Sequence, residues 1–346
     1  MEYFIERDQQ FRQHTPDTFH RFIFKQWNPD VSFTLIPGPP ATGKSTLLRQ
    51  LAEHHPQTDP NKSLFISASF LWLHRQSLFD LAESFYLNGG RYLLVDDLHT
   101  IPEWESEILN IGTRLPELHV VATTACELPF TKESNIQPDV RTLPGLSFRE
   151  YLAFREAIKI DAKKLGEIVS FHKEFSEGIS GLFQPIPPFR RYLAGGSTFS
   201  NRSTGNLPGT LAAEQKLNHV LETDLPSVKG VDIRSVFKIK QLLGLILSQI
   251  PFKPNISEMA RSLDVSRDSV YLWLSYLQEF GLINMLWKQS EGHIRHRKPE
   301  FILPGNTSML YLGGETPAPQ SLRLTFLVNQ LHNAGFTCTI PGEGML

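Results

Sequence analysis

Nine consecutive residues, GPPATGKST at 38–46, have the types and spacing best suited to chemistry in this chain. They fit the pattern G-x-x-x-x-G-K-[ST], in which glycines let backbone N–H groups face a phosphate without a Cβ in the way. Lys44 can reach the β- and γ-phosphates of ATP, and Ser45 can place its hydroxyl on Mg²⁺. The predicted nucleotide-binding residues are Gly38, Pro39, Ala41, Thr42, Gly43, Lys44, Ser45 and Thr46.

The segments around this loop predict the structural context that it needs. FTLI at 33–36 is an apolar run typical of a buried strand, and STLLRQLAEHH at 45–55 is typical of a helix. A helix that starts directly after the loop adds its positive N-terminal end to the phosphate site. We therefore interpret residues 33–55 as a strand, a phosphate-binding loop and a helix.

Two neighbouring acids follow a second apolar run. RYLLVDDLHT at 91–100 predicts a strand buried on both faces that ends at Asp96 and Asp97. Carboxylates at the carboxyl end of such a strand lie close to the phosphate loop in an open α/β sheet. We assign Asp96 to Mg²⁺, and Asp97 to orienting or deprotonating the attacking water. An acid pair can also cap a helix, but its place downstream of the phosphate loop favours the metal site.

A third strand, LHVVATTA at 118–125, ends in hydroxyl side chains. Thr123 and Thr124 would lie at the same sheet edge, where a hydroxyl can hold the attacking water or a γ-phosphate oxygen. We take Thr124 as the catalytic candidate. Threonine is equally typical of strands for its β-propensity alone, so the structural interpretation stays open.

Composition and charge limit the class of protein. The 346 residues are 40% hydrophobic and 20% charged, which suits two or three globular domains. The net charge of −2 provides no global basic field for nucleic acid. Cys126 and Cys338 form no C-x-x-C motif, which argues against a zinc site or a disulfide scaffold. With no signal peptide and no apolar run long enough for a bilayer, we expect a cytoplasmic protein without membrane contact.

The pattern of elements predicts an α/β fold in the first part of the chain. Apolar strands alternate with helical segments there, which is typical of a parallel sheet with helices on both faces. The predicted strands are 33–36, 63–69, 91–97 and 118–124, and the predicted helices are 45–54, 76–87 and 103–113.

From Ser147 onward the sequence is mainly helical. A helix is predicted over 146–160 and another around 161–176, QPIPPF at 184–189 is expected to break the helical pattern, and 194–210 is loop-like.

Residues 256–265 and 266–283 then predict a helix–turn–helix, and INMLWKQSEGHIRHRKPEFIL predicts a wing. Arg267, Asp268 and Tyr271 begin the second helix and are a poor phosphate-binding set. DNA contact, protein contact and a role as an ATPase lid therefore stay open. The basic residues near the wing are Lys288, Arg295, Arg297 and Lys298.

Together these residues resemble a family of prokaryotic AAA-type P-loop ATPases whose C-terminal half is a domain of unknown function. The resemblance spans roughly residues 30–340. It is carried by LLVDDLHTIPEW at 93–104, TTA at 123–125, LSFREYL at 146–152 and RRYLAGGSTF at 190–199.

The resemblance implies a division of the chain into four regions. They are an AAA-type P-loop ATPase core at 1–146, a helical lid or linker at 147–228, a winged helix-turn-helix domain at 229–300 and a truncated restriction-endonuclease-like tail at 301–346.

The chain departs from the pattern of this family at three places. Asp97 stands where Glu is usual, which predicts weaker activation of water. Val140 stands before Arg141 where Gly-Arg is usual, and Arg141 is our candidate for a charge-stabilising arginine. Leu324 stands where an acid is usual in the nuclease-like tail. No Asp…Glu-x-Lys set follows, so we expect no nuclease activity.

The leading functional hypothesis is slow hydrolysis of Mg-ATP that drives or gates a conformational change in the winged-helix module. The alternative is a nucleotide-gated DNA- or protein-binding module with little turnover. A small-molecule kinase is disfavoured, because no arginine-rich lid occurs and no such kinase needs a winged helix. The candidate partners are ATP, DNA, and a protein partner or a second copy of this chain.

Overall fold

The computed structural model describes residues 1–130, 137–198, 209–288, 298–314 and 316–340. The chain forms two compact units, each built from three segments of sequence. The first unit contains Met1–Pro144, Asn218–Val236 and Glu279–Gly281. The second unit contains Gly145–Leu217, Phe237–Gln278 and Leu282–Leu346.

A five-stranded sheet with the order β2-β3-β4-β1-β5 forms the centre of the first unit. All of its paired neighbours are parallel. This confirms the parallel α/β sheet that the sequence predicts. Because β4 lies between β1 and β3, the residues at its carboxyl end lie between those that follow β1 and β3. The strands are β1 Phe33–Pro37, β2 Ser63–Ser67, β3 Tyr92–Asp96, β4 His119–Thr124 and β5 Asp139–Val140.

Apolar side chains of the sheet and its helices form the core of this unit. Leu47, Leu48 and Leu51 on the helix after the loop are fully buried, as are Leu35 and Ile36 on β1. The helices of this part are α1 Glu2–Arg12, α2 Phe22–Gln26, α3 Lys44–His54, α4 Leu78–Leu87 and α5 Trp104–Arg114.

Helix α1 was not predicted, since its sequence EYFIERDQQFR is largely polar. Contacts with residues that are distant in sequence hold this helix in place. Arg12 Nε donates to Asp8 at 2.8 Å, and its terminal nitrogens donate to Glu53 at 3.1 Å and to the Ser63 carbonyl oxygen at 2.6 Å. These partners lie up to 51 residues away, so a local pattern cannot reveal them.

The rest of the chain is mainly helical. Its helices are α6 Phe148–Arg155, α7 Leu165–Ser170, α8 His172–Leu182, α9 Ile186–Arg191, α10 Gly209–His219, α11 Leu225–Lys229, α12 Ile233–Leu247, α13 Ile256–Ser262, α14 Arg267–Glu279 and α15 Pro319–Asn333. The strands β6 Ile283–Lys288, β7 Phe301–Pro304 and β8 Thr339–Ile340 form a second sheet with the order β7-β6-β8. Strand β6 pairs antiparallel with β7 and parallel with β8.

One sequence expectation needs correction in the second unit. The helix expected around 161–176 is two helices, because Phe171 leaves the helical conformation between them. QPIPPF at 184–189 breaks the helical pattern as expected, between the end of α8 at Leu182 and the start of α9 at Ile186. Proline is accepted in a first helical turn, where no N–H is needed as an intrahelical donor.

The packing of helix α15 accounts for leucine at position 324. Leu324 lies on α15 against an apolar cluster that contains Leu286, Leu303 and Val328. A charged acid there would lose its hydration without a compensating partner, so leucine fits the position physically.

Candidate functional site

The phosphate-binding loop connects β1 to α3, and backbone hydrogen bonds to two neighbouring segments hold its start. Gly38 N–H donates to the Thr124 carbonyl oxygen at 3.1 Å, and Leu143 N–H donates to the Pro37 carbonyl oxygen at 2.8 Å. A Cβ atom at position 38 would lie 2.3 Å from the Leu143 carbonyl oxygen. Only glycine therefore allows this approach of the loop to its neighbours.

Two left-handed residues shape the rest of the loop. Ala41 has φ 57° and Gly43 has φ 91°, and Thr42 Oγ1 donates to the Pro39 carbonyl oxygen at 2.9 Å. Alternating backbone handedness turns successive N–H groups inward and creates an anion-binding concavity. The first amides of α3 also have no acceptor within the helix and point toward the same concavity. Ser45 lies half-buried in this first turn.

Lys44 is buried and bends over the loop. Its Nζ donates to the carbonyl oxygens of Gly38 at 2.7 Å and of Pro39 at 3.0 Å. Burial lowers the pKa of this ammonium group, and the charges of Asp97 and Asp96 oppose that shift. The loop therefore holds its cation in electrostatic reach of the acid pair.

One hydroxyl group joins the two acids at the end of β3. Thr123 Oγ1 donates to Asp96 Oδ1 at 2.6 Å and accepts from the Asp97 N–H at 3.0 Å. Burial and the charge of Asp96 raise the pKa of Asp97, while Lys44 acts in the opposite sense. Asp97 also has φ 56°, a left-handed conformation that side-chain-bearing residues adopt only at a cost. Thr123 thus fixes both carboxylate residues from the neighbouring strand.

Thr124 occupies a different position from Thr123. It is fully buried, pairs in register with Pro37 of β1 and donates its hydroxyl to the Cys126 carbonyl oxygen at 2.7 Å. The two threonines at the end of β4 therefore make different contacts. Thr123 contacts the acids, whereas Thr124 supports the start of the phosphate loop.

Arg141 lies beyond β5 at the edge of the sheet. Its Nε donates to both carboxylate oxygens of Asp139 at 2.9 Å, and 39% of its side chain is exposed. Its N–H continues the ladder to the Leu35 carbonyl oxygen at 2.8 Å. The structure thus pairs Arg141 with Asp139, and the role as a charge-stabilising arginine stays a prediction.

Arg21 supports the loop and was missed by the sequence analysis. Its buried guanidinium donates to the Thr42 carbonyl oxygen and, at 2.8 Å, to the Pro144 carbonyl oxygen. The residue lies before α2 in a segment without a motif. Only the folded chain brings it to the loop.

A third carboxylate, on Asp224, was also missed. Its Oδ1 lies 3.5 Å from His99 Nε2, and its charge acts on the pKa of both Lys44 and Asp97. His99 lies two residues after Asp97 in sequence, but Asp224 lies 125 residues beyond His99. No spacing rule would connect the two.

The donor set agrees with magnesium and triphosphate chemistry. Mg²⁺ prefers oxygen ligands, and Ser45 and Asp96 supply a hydroxyl and a carboxylate. Within the described ranges, no group of three or more His, Cys, Asp or Glu side chains could hold a metal by itself. Such a site would therefore need phosphate oxygens or water to complete the shell of the ion.

Of the helices described, none has both the length and the apolar character needed to cross a membrane.

Comparison with solved structures finds similar folds that are remote in sequence, of which three follow. One is AMPPCP-bound DnaA from Aquifex aeolicus, at 14% identity and TM-score 0.29, covering 74% of this chain and 84% of that one. Another is C. elegans PCH-2, at 14% identity and TM-score 0.26, covering 74% and 65%. The third is a DNA polymerase III gamma subunit-related protein from Thermotoga maritima, at 13% identity and TM-score 0.26, covering 79% and 99%.

No curated protein matches the chain. The family match is confined to residues 31–152, which match the family described as AAA domain. That stretch contains the phosphate loop, the acid pair and both threonines. Residues 31–152 are therefore similar to an AAA domain.

Proposed function

We propose that the first unit binds Mg-ATP and slowly hydrolyses the bond between its β- and γ-phosphates. The observation that carries this proposal is the meeting of two groups of residues at one edge of the parallel sheet. One group is the anchored loop with Lys44, and the other is Asp96 and Asp97 joined through Thr123. Both groups follow carboxyl ends of strands, where open α/β sheets bind ligands.

Each residue type has a defined task in this proposal. The loop amides and Lys44 hold the β- and γ-phosphates, and Ser45 with Asp96 holds Mg²⁺. When bound, the ion supplies positive charge to the phosphate oxygens. Asp97 orients a water molecule and accepts its proton while the water oxygen bonds to the γ-phosphorus. The bond to the bridging oxygen breaks, which leaves ADP and inorganic phosphate.

The environment of Asp97 supports a role as the base. Its pKa is raised by burial and by the neighbouring Asp96, so its carboxylate takes up a proton more readily than an exposed aspartate. Its side chain is nevertheless one methylene shorter than that of glutamate. We expect the reach to the water to limit the rate, and turnover to be slow.

Contacts of Glu279–Gly281 support gating of a winged-helix module. These residues belong to the first unit, although the rest of helix α14 belongs to the second unit. A Cβ atom at Gly281, which has φ 68°, would lie 3.2 Å from Pro39 Cγ in the phosphate loop. Glu279 forms an ion pair with Lys229. We propose that nucleotide-dependent movement of the loop reaches α14 through this short segment.

The alternative function is nucleotide-gated binding of DNA or a protein with little turnover. The observation that favours it is the exposure of Arg267, Lys288 and Lys298 around α14, β6 and β7. Arg295 and Arg297, the other basic residues of the predicted wing, lie outside the described residues. DNA, a protein partner and a second copy of the chain are candidate ligands of this region.

Binding of Mg-ATP to purified protein tests the proposal directly. Lys44→Ala should weaken the affinity at least about 100-fold, since it removes a buried charge from the phosphate site. Lys62→Ala, which removes an exposed lysine of the same unit, is the matched control and should bind normally. Equal affinity of Lys44→Ala and the parent would show that the loop is not the nucleotide site. Phosphate release measured on the same proteins separates hydrolysis from binding.

A further inference from the structure

A buried pair of side chains lies next to the proposed site and has no task in the reaction described above. His99 Nε2 and Asp224 Oδ1 are 3.5 Å apart, and the two side chains are only 1% and 9% exposed. A buried carboxylate is costly unless it receives a hydrogen bond. The contact is long for a hydrogen bond, so a small movement can strengthen or break it.

His99 is attached to the acid pair through a short turn. Asp97 begins the turn Leu98–Thr100, and its carbonyl oxygen accepts from Thr100 N–H at 3.0 Å and from Thr100 Oγ1 at 2.9 Å. Because these bonds close the turn on Asp97, a change in the backbone of Asp97 displaces the His99 ring. His99 Nδ1 is buried without a hydrogen-bond partner among the described residues. The Asp224 carboxylate is therefore the described hydrogen-bond partner of the ring.

Asp224 lies in a different segment, which is covalently joined to the second unit at both ends. It ends the helical turn Val220–Asp224, where Val220 and Leu221 are buried. Its charge contributes to the raised pKa of Asp97 and opposes the lowering of the Lys44 pKa by burial. Asp224 is therefore fixed by packing and close enough to feel a change of charge at the phosphate site.

We propose that His99 and Asp224 are a positioning pair that holds Asp97 for hydrolysis and passes its state to the segment 218–229. This inference rests on the proposed ATPase function and adds a regulatory path to it. An arriving triphosphate adds negative charge near the carboxylates of Asp96, Asp97 and Asp224. That charge displaces Asp97 or Asp224, and the contact between His99 and Asp224 converts the displacement of one into movement of the other.

Steady-state kinetics with Mg-ATP test the positioning role. Asp224→Asn and His99→Leu should each lower kcat about 10- to 100-fold while the affinity for Mg-ATP changes less than about threefold, since neither residue holds phosphate. His99→Gln should recover part of the rate, because the amide nitrogen can replace Nε2 as donor. The double variant should be no slower than either single variant, since one shared contact is lost.

A matched control and a second measurement separate positioning from folding. His219→Gln removes a 57% exposed histidine that lies 3.6 Å from the same carboxylate, and it should retain the parent rate. In the parent, hydrogen exchange of the amides at 218–229 should differ between Mg-ADP and a non-hydrolysable ATP analogue. Asp224→Asn should abolish that difference while the melting temperature stays within a few degrees.

The results of these experiments separate a failure of the positioning pair from a failure of the proposed ATPase function. If the parent neither binds nor hydrolyses ATP, the proposed function is wrong. If the parent hydrolyses ATP and Asp224→Asn does so equally fast, only the positioning pair is wrong. Multiplicative losses in the double variant would likewise overturn it, because they would mean that the two residues act independently.

Discussion

The carboxyl edge of the parallel sheet and the region of α13, α14, β6 and β7 place their polar residues in opposite ways. Lys44, Asp96 and Thr123 at the sheet edge are buried, and each makes a short hydrogen bond or ion contact with another part of the first unit. Around α14, Arg267 and Asp268 are exposed to solvent. Desolvated groups held in one geometry suit catalysis, whereas exposed charges suit recognition of a large partner.

This difference decides how far function can be argued from each region. At the sheet edge, hydrogen bonds of 3.0 Å or less support the proposed phosphate-binding cation, metal ligand and base. In the second region, only charge and exposure are available, and they fit DNA and protein alike. Variants can test whether the carboxyl edge of the sheet is catalytic and whether the exposed region around α14 is a binding surface.

The largest effect is expected at Asp97. Asp97→Asn should lower kcat about 100-fold or more with little change in the affinity for Mg-ATP, since an amide cannot accept the proton of water. Asp96→Asn should instead weaken the part of the affinity that depends on Mg²⁺. Asp97→Glu restores the longer side chain and should hydrolyse ATP at least as fast as the parent. Phosphate release and binding with and without Mg²⁺ measure these effects, and normal turnover by Asp97→Asn would assign the role elsewhere.

The basic residues of the predicted wing should affect DNA binding without affecting hydrolysis. Each phosphate contact contributes about −0.9 to the slope of log K against log salt. Alanine at Arg295, Arg297 and Lys298 should therefore flatten the slope by up to about three units. A triple alanine variant at Lys159, Lys163 and Lys164 removes the same charge elsewhere in the chain and should leave it unchanged. If the parent does not bind duplex DNA at low salt, with or without nucleotide, the region contacts protein instead.

A smaller effect should separate the two threonines. Thr123→Val removes the hydroxyl that joins Asp96 and Asp97, and we expect kcat to fall about tenfold, as for a lost hydrogen bond to a charged group. Thr124→Val removes a bond to the Cys126 carbonyl oxygen and should change kcat less than about threefold. The reverse order would support the catalytic role that the sequence suggested for Thr124.

The smallest effect concerns stability. The pKa of Asp97 is raised, so its charged form costs stability, and this cost begins above the ordinary aspartate pKa and grows as the pH rises through the raised pKa. Asp97→Asn should therefore raise the melting temperature of the nucleotide-free protein by roughly 2–4 °C, which corresponds to about 1 kcal/mol for a unit of this size. Thermal unfolding at pH 7 measures it, and a lower melting temperature would mean that the carboxylate stabilises the fold.

Much of the first unit was predictable because its signals are local. The apolar runs before Gly38, Asp96 and Thr123 predicted three strands to within one or two residues of their observed ends. Strand β5 was not predicted, since it has only two residues and is defined by its pairing with β1. The helix from Ile186 was missed because the signal of its prolines is the same at a helix start as in a loop.

The sequence by itself determined which groups can act on a nucleotide. The phosphate loop is recognised from the spacing of Gly38, Gly43 and Lys44, and the acid pair from the apolar run before it. Both patterns depend only on residues that are neighbours in sequence. The tertiary structure decided which groups act together. It gave the acid pair Thr123 rather than Thr124, and brought Arg21 to the loop and Asp224 to His99. Those choices depend on strand order and on packing between distant segments, which no local pattern records.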